Sequence, residues 1–223
     1  MDTMLSTEHS ILNYSISDDD KRIYNPYLNR LKTIIDENSR LQKAELAALL
    51  FDMRHDLVSE YSFTIPYYEV LKKVASYSPI VEIGAGSGYW ARCLSEMRAD
   101  VIAYDRLPPG GKNPWEWYKG NPWFDDSWYP ILEGDESAAA HHPDRSLLLA
   151  WPVPLNPMAY NALAGYKKAG GSTLIYIGDP HPASSGDEHF YQLLYVHKEI
   201  ERIDLYGWPG INEKLLIYSL REP

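Results

Sequence analysis

From Ile80 onward the chain alternates short, nearly continuous apolar runs with stretches of helical spacing, and this alternation constrains the fold more than any other feature. The runs are IVEI (80–83), DVIAYD (100–105), YPILEG (129–134), SLLLAW (146–151) and STLIYI (172–177). Helical stretches follow at YWARCLSEMRA, at about 135–142 and 157–168, and at 186–197. Strands apolar on both faces and separated by helices belong to a mainly parallel sheet covered on each side. Two further runs, IERIDL (200–205) and EKLLIYSL (213–220), are joined by YGWPGIN, which has no room for a helix. They read as an antiparallel hairpin. The expectation is therefore an α/β fold, a doubly wound and mainly parallel seven-stranded sheet closed by that hairpin.

Ahead of the sheet, residues 1 to about 20 are polar, end in Asp18, Asp19 and Asp20, and read as a mobile arm. From 25 to about 57 the spacing of Leu28, Leu31, Ile34 and Ile35, and later of Leu46, Leu49 and Leu50, is helical, with ENS dividing two helices. TIPYYEVLKKVASYSP predicts another helix, with Thr64 as its cap and Pro66 in its first turn. The chain thus divides into an N-terminal arm and helical extension (1–64) and a sheet domain (65–223).

Composition bounds the partners. At 223 residues one sizeable core is expected rather than two. A formal net charge of -10, with no basic run, disfavours nucleic acid and anionic membrane surfaces. No stretch reaches the ~18 apolar residues of a membrane span, and the N-terminus is not read as a secretory signal, so the expected location is the cytoplasm. The single cysteine, Cys93, sits at a packing position in a helix and excludes an intrachain disulfide. Eighteen Tyr and seven Trp against four Phe suit half-wet pocket walls as well as core edges.

The first strand runs into Glu82-Ile-Gly84-Ala-Gly86-Ser-Gly88. Ligands of open parallel sheets bind outside the carboxyl ends of the strands, so this corner is the first candidate site. Counted from Gly84, a dinucleotide fingerprint would place its third glycine at Tyr89, which is bulky. No Lys follows Gly88, so a phosphate loop of the Walker type is absent as well.

The pattern E-x-G-x-G-x-G at the end of a strand resembles motif I of class I S-adenosylmethionine (SAM)-dependent methyltransferases, a Rossmann-like superfamily, and the likeness extends over about 65–221. The resemblance implies SAM as cofactor, with Glu82 near its cationic part and Gly84, Ala85, Gly86, Gly88 and Tyr89 forming the corner around it. It further implies that Asp105, ending the second strand, takes the ribose hydroxyls, and that Asp135, or Glu136 in its place, meets the adenine amino group. Asp135 in GDES reads equally as a helix N-cap. The fourth strand opens onto the reaction centre at AWPVP, distantly like an N/D-P-P-Y signature, with Trp151 replacing the polar first residue and Val153 the second proline.

The activity so implied is methyl transfer to a small acceptor, aromatic or amine, in a cytoplasmic enzyme of unassigned oligomeric state. His181 and Asp179, after the fifth strand, are the candidate bases, while His141 and His142 follow the third strand and read also as turn caps. The spacing of His181, His189 and His197 matches no metal site. Trp151 is expected beside the cofactor's transferable methyl, with Tyr67, Tyr68, Tyr89 and Trp90 as further candidate acceptor walls. The stretch 107–130, with Trp115, Trp117, Trp123 and Trp128, is a candidate lid. Two alternatives stand beside this reading: a SAM- or nucleoside-binding module that engages a protein partner through the Trp-rich loop, and a nicotinamide-dependent oxidoreductase.

Overall fold

The structure is a computed structural model that describes residues 8–110 and 121–221. Among them, strands β1 (Ile80–Ile83), β2 (Val101–Asp105), β3 (Leu132–Glu133), β4 (Ser146–Ala150), β5 (Thr173–Gly178), β6 (Lys198–Asp204) and β7 (Lys214–Ser219) join in one sheet. Their order is β3-β2-β1-β4-β5-β7-β6. The first five run parallel, and β7 lies antiparallel to both β5 and β6. The expected Rossmann-like α/β sheet with a C-terminal hairpin is the observed one.

Period-2 alternation divides the sheet between two cores. Ile80, Ala103, Leu148, Ile175, Ile177, Leu215 and Ile217 face one side, where they meet the helices α1 (Pro26–Glu37), α2 (Lys43–Glu60), α3 (Tyr68–Ala75) and α4 (Tyr89–Glu96). Val81, Ile83, Leu147, Leu149, Leu174 and Tyr176 face the other, under α5 (Met158–Lys168), α6 (Glu188–Tyr195) and a 3-10 turn at Glu136–His141. Both faces are covered over the middle of the sheet, which is why β1, β4, β5 and β7 carry almost no polar alternation, while the edge strand β6 does. The N-terminal helices therefore share a layer with α4 and one continuous core with the sheet.

Local signals start the helices. Asn25 accepts the Leu28 amide at 3.1 Å with Pro26 following it, Glu45 accepts the Gln42 amide at 2.8 Å, and Asp187 accepts the Phe190 amide at 2.8 Å. One expected cap is displaced. The backbone at Tyr67 is extended, α3 begins at Tyr68, and Thr64 is buried instead of capping. The Tyr68 amide donates to Asp20 Oδ1 at 2.8 Å.

That bond also corrects the reading of the described part of the arm. Asp20 is buried, accepting from Tyr14 Oη at 2.6 Å and the Ser17 amide at 2.8 Å, while the Ile11 amide donates to the Gly207 carbonyl at 2.8 Å. A polar stretch is held by buried hydrogen bonds, a signal that hydropathy does not carry. The third strand is shorter than 129–134 because Tyr129 and Ile131 pack onto the β1–α4 corner at Gly88. Cys93 is buried in α4, and burial pushes its thiol up to about 12, as a packing residue requires. No helix among the described residues is long and apolar enough to cross a membrane.

Candidate functional site

The corner between β1 and α4 is tied to the end of β2. Gly84 and Ala85 both donate their amides to the Tyr104 carbonyl at 2.9 Å, and Gly86 donates to Asp105 Oδ2 at 2.8 Å. Gly84 and Gly86 have φ of +72° and +57°, a region costly for L side chains, so the loop can take this path only as glycine. A Cβ on Gly86 would lie 2.3 Å from the Phe124 ring, and one on Gly84 2.7 Å from the Met158 methyl. The clearance left by the two glycines is thus taken by side chains of this chain.

Next to the corner opens a cavity of about 400 Å³, in the size range of small-molecule sites. It lies at the carboxyl ends of β1, β2 and β4, whose last residues form its floor with Glu82, Asp105 and Trp151. Asp135 and Glu136 lie along the wall beyond β3, and Phe63, Trp90, Trp123 and Phe124 supply aromatic surface. Phe63 stacks on Trp151 with centroids 5.9 Å apart, and Trp123 and Phe124 meet its ring edge-on at 5.7 and 6.0 Å. Trp151 sits at φ +52°, a strained conformation for a non-glycine residue, held by its amide's 2.7 Å bond to the Ile177 carbonyl.

Among the described residues, four carboxyl groups line the cavity (Glu82, Asp105, Asp135, Glu136) against one guanidinium, that of Arg106, and the acids other than the buried Glu82 favour a neutral or cationic guest. Burial pushes the Glu82 carboxyl up to about 8; the Ala91 backbone amide opposes that rise, and the nearby Asp105 carboxylate adds to it. Glu82 Oε2 has no hydrogen-bond partner among the described residues. Burial also raises Asp105, opposed by the Leu107 and Gly86 amides. Its Oδ1 accepts the Leu107 amide at 2.8 Å and Asn121 Nδ2 at 3.3 Å, and that Asn121 amide reaches the Leu107 carbonyl at 2.8 Å.

The sequence-predicted residues part into two groups. Glu82, Gly84, Ala85, Gly86, Asp105, Asp135 and Trp151 are brought together around the cavity. Asp135 also caps the 3-10 turn, accepting the Ser137 amide at 3.0 Å, and that turn's hydrogen bonds hold its carboxyl below the usual range. Gly88 and Tyr89 do not line the cavity. Tyr89 opens α4 pointing toward α1, where its hydroxyl donates to Asn25 Oδ1 at 2.8 Å and accepts the Tyr27 amide at 3.0 Å. Gly88 is pressed against Tyr129 and Ile131.

His181 and Asp179 also lie off the cavity wall, on the loop after β5, where His181 is exposed and its Nδ1 accepts the Ala183 amide at 3.2 Å. His142 closes the 3-10 turn and meets Tyr104 Oη at 3.1 Å. Among the described residues no cluster of His, Cys, Asp and Glu could hold a metal ion. Of the expected acceptor lining Trp151 and Trp90 line the cavity and Tyr67, Tyr68 and Tyr89 do not; Tyr67 packs on Tyr14 and Tyr206, 4.8 and 5.9 Å away.

The Trp-rich stretch divides too. Trp128 is an anchor, stacked on Tyr61 at 5.4 Å with its Nε1 donating to the Glu60 carbonyl at 2.7 Å, whereas Trp123 is 52% exposed at the cavity mouth. Trp115 and Trp117 lie outside the described residues. Sequence reasoning missed Phe63, Asn121, Phe124 and Met158. Only the unusual aromatic content of 107–130 pointed toward two of them.

No protein-family model matches the chain, and no curated protein matches its sequence. Solved structures resemble it in fold. One is a magnesium protoporphyrin IX methyltransferase from Synechocystis with bound SAM, at 9% identity and TM-score 0.42, covering 68% of this chain and 78% of that one. A tRNA (uracil-54, C5)-methyltransferase from Pyrococcus abyssi, in complex with S-adenosyl-L-homocysteine, matches at 14% identity and TM-score 0.41, covering 72% and 40%. A SAM-dependent methyltransferase from Archaeoglobus fulgidus matches at 11% identity and TM-score 0.43, covering 77% and 99%.

Proposed function

We propose that the cavity holds S-adenosylmethionine and that the protein is a methyltransferase acting on a small acceptor, neutral or cationic. The observation that carries this reading is the convergence of Glu82, the Gly84–Gly86 backbone and Asp105 on one cavity at the strand ends. The residues fit the ligand's chemistry. Glu82 Oε2, buried and without a partner among the described residues, can accept a hydrogen bond from a ligand N–H, and Asp105 has the two oxygens that two vicinal hydroxyls need. Taking the ribose requires Asn121 to give up its 3.3 Å contact with Asp105 and the Phe124 ring to yield over Gly86.

SAM supplies a methyl already activated by its sulfonium. What the chain contributes is placement: an acceptor held between Phe63, Trp123 and Trp151, shielded from water, with its nucleophile in line with the methyl. The acidic lining supports a neutral or cationic acceptor over a phosphate-rich one. Aromatic faces add cation–π attraction for an ammonium group.

The second reading, a SAM-binding module without transfer, is favoured by one observation: among the described residues no histidine or lysine lines the cavity. Calorimetry with SAM and S-adenosylhomocysteine, followed by turnover of a panel of small amines, phenols and acids, separates the two. Binding with turnover is the expected result. Binding without turnover on any small acceptor supports the module, and no binding of either nucleoside refutes both.

A further inference from the structure

Three large apolar side chains stand in water around the mouth of the cavity. Trp123, Val153 and Leu155 are 52%, 39% and 76% exposed. Trp123 and Val153 line the cavity, and Leu155 stands between two residues that line it, Pro154 and Asn156. A single exposed apolar residue needs no explanation, but several around one opening mark a surface that something covers.

The loop that carries two of them is rigidly held. It runs from Trp151, after β4, to Pro157, before α5, with prolines at 152, 154 and 157. The Leu155 amide donates to the Gly186 carbonyl at 2.7 Å, and the Gly186 amide donates back to the Pro152 carbonyl at 3.0 Å. Leu155 is thereby fixed at φ +56°, a left-handed conformation that glycine or asparagine adopts more readily. Its backbone is strained and its side chain is not buried. Folding therefore gains nothing from a leucine at this place, and the explanation lies in what the side chain meets outside.

Volume points to the occupant. About 400 Å³ lies near the lower end of the range for one small-molecule ligand, and the proposed function asks the cavity to admit a cofactor and the acceptor's reactive end together. The rest of an acceptor then lies at the mouth, against Trp123, Val153 and Leu155. Three side chains are too small a surface for a stable protein–protein contact, which takes about 800 Å² on each partner. We infer that the acceptor is amphiphilic: a polar nucleophilic head enters the cavity, and an apolar chain or ring system attached to it lies over this rim. The inference rests on the proposed function and deepens it by naming the class of acceptor.

The test is calorimetry on protein saturated with S-adenosylhomocysteine, titrated with n-alkylamines and with 4-n-alkylphenols of increasing chain length. Affinity is expected to rise about two- to fourfold per added methylene in at least one series, because each methylene leaves water for the rim. Leu155→Asn suits the left-handed backbone and removes the apolar surface, so the rise is expected to flatten in this variant. Val153→Thr, close in shape, is the second variant and is expected to flatten it likewise. Leu155 does not line the cavity, so the affinity of Leu155→Asn for S-adenosylhomocysteine is expected to stay within about twofold, which also reports an intact fold. Affinity independent of chain length in both series overturns the inference and leaves the cofactor reading standing. A rise that both variants leave unchanged overturns it too. If the wild-type protein does not bind S-adenosylhomocysteine, the SAM reading of the cavity fails and this inference falls with it.

Discussion

The Gly86 amide donates to Asp105 Oδ2 at 2.8 Å, so the glycine corner after β1 and the acid ending β2 form one unit. A carboxylate that orders the loop and also faces the cavity cannot be removed without disturbing both. Asp105→Ala leaves the Gly86 and Leu107 amides without their acceptor and takes away the proposed ribose ligand. The expected loss in S-adenosylhomocysteine affinity is about 1.5–3 kcal/mol, roughly ten- to a hundredfold. A fall in melting temperature accompanies it. Calorimetry and thermal unfolding read the two effects separately.

Gly86 and Phe124 are coupled by contact. A Cβ at Gly86 lies 2.3 Å from the Phe124 ring, and φ is +57°. Gly86→Ala is expected to destabilise by about 1–2 kcal/mol from the left-handed backbone alone, with a further loss from the displaced ring. In a Phe124→Ala background that further loss disappears. A double-mutant cycle in urea is expected to return an interaction above about 0.5 kcal/mol; additive single effects would contradict the packing described.

Stability depends on pH through two buried acids. Burial pushes both Glu82 and Glu213 up to about 8 from an ordinary value of 4.5. Between those values the folded protein holds protons that the unfolded chain has released, so stability falls as pH rises. The slope is about 1.4 kcal/mol per pH unit for each group where only the folded form is protonated. His142, lowered chiefly by burial, slopes the opposite way near its ordinary value of 6.5. The expected result is a melting temperature that declines from pH 5.5 to 7.5, with a shallower decline in Glu82→Gln and in Glu213→Gln.

Two tryptophans of one loop separate structure from site. Trp128→Ala removes the stack on Tyr61 and the bond to the Glu60 carbonyl, and is expected to cost on the order of 2 kcal/mol. Trp123→Ala, at a residue 52% exposed, is expected to leave stability within about 0.5 kcal/mol. Its effect appears instead in the affinity for the acceptor.

Histidine at the loop after β5 provides a negative control. His181 is off the cavity wall and exposed, so His181→Ala is expected to leave S-adenosylhomocysteine affinity within about twofold. A larger loss, measured by calorimetry, would mean that this loop reaches the ligand.

The sheet was legible because its signal is local and repeated: the runs of β1, β4, β5 and β7 are almost wholly buried and the stretches after β1, β4 and β5 have helical spacing. The glycine corner and Asp105 were legible for a similar reason, since both stand at strand ends where topology places a site. Tyr89 was misread because its neighbours in sequence belong to the site while its hydroxyl belongs to Asn25, 64 residues away. Asp20 was misread on the same ground: its partner, the Tyr68 amide, is 48 residues distant. Phe63, Asn121 and Phe124 reach the cavity from stretches without regular periodicity, so only tertiary structure assigns them. His181 and Asp179 follow the right strand, but the turn that begins at Gly178 carries them off the cavity wall.

The most direct measurement is a crystal structure of the protein grown with S-adenosylhomocysteine. The expected map shows adenosyl density between the Gly84–Gly86 backbone and Asp105, the ribose on that carboxylate, Asn121 withdrawn and the Phe124 ring displaced. A map showing Asn121 and Phe124 still in place at saturating nucleoside, with no adenosyl compound at the corner, would contradict it.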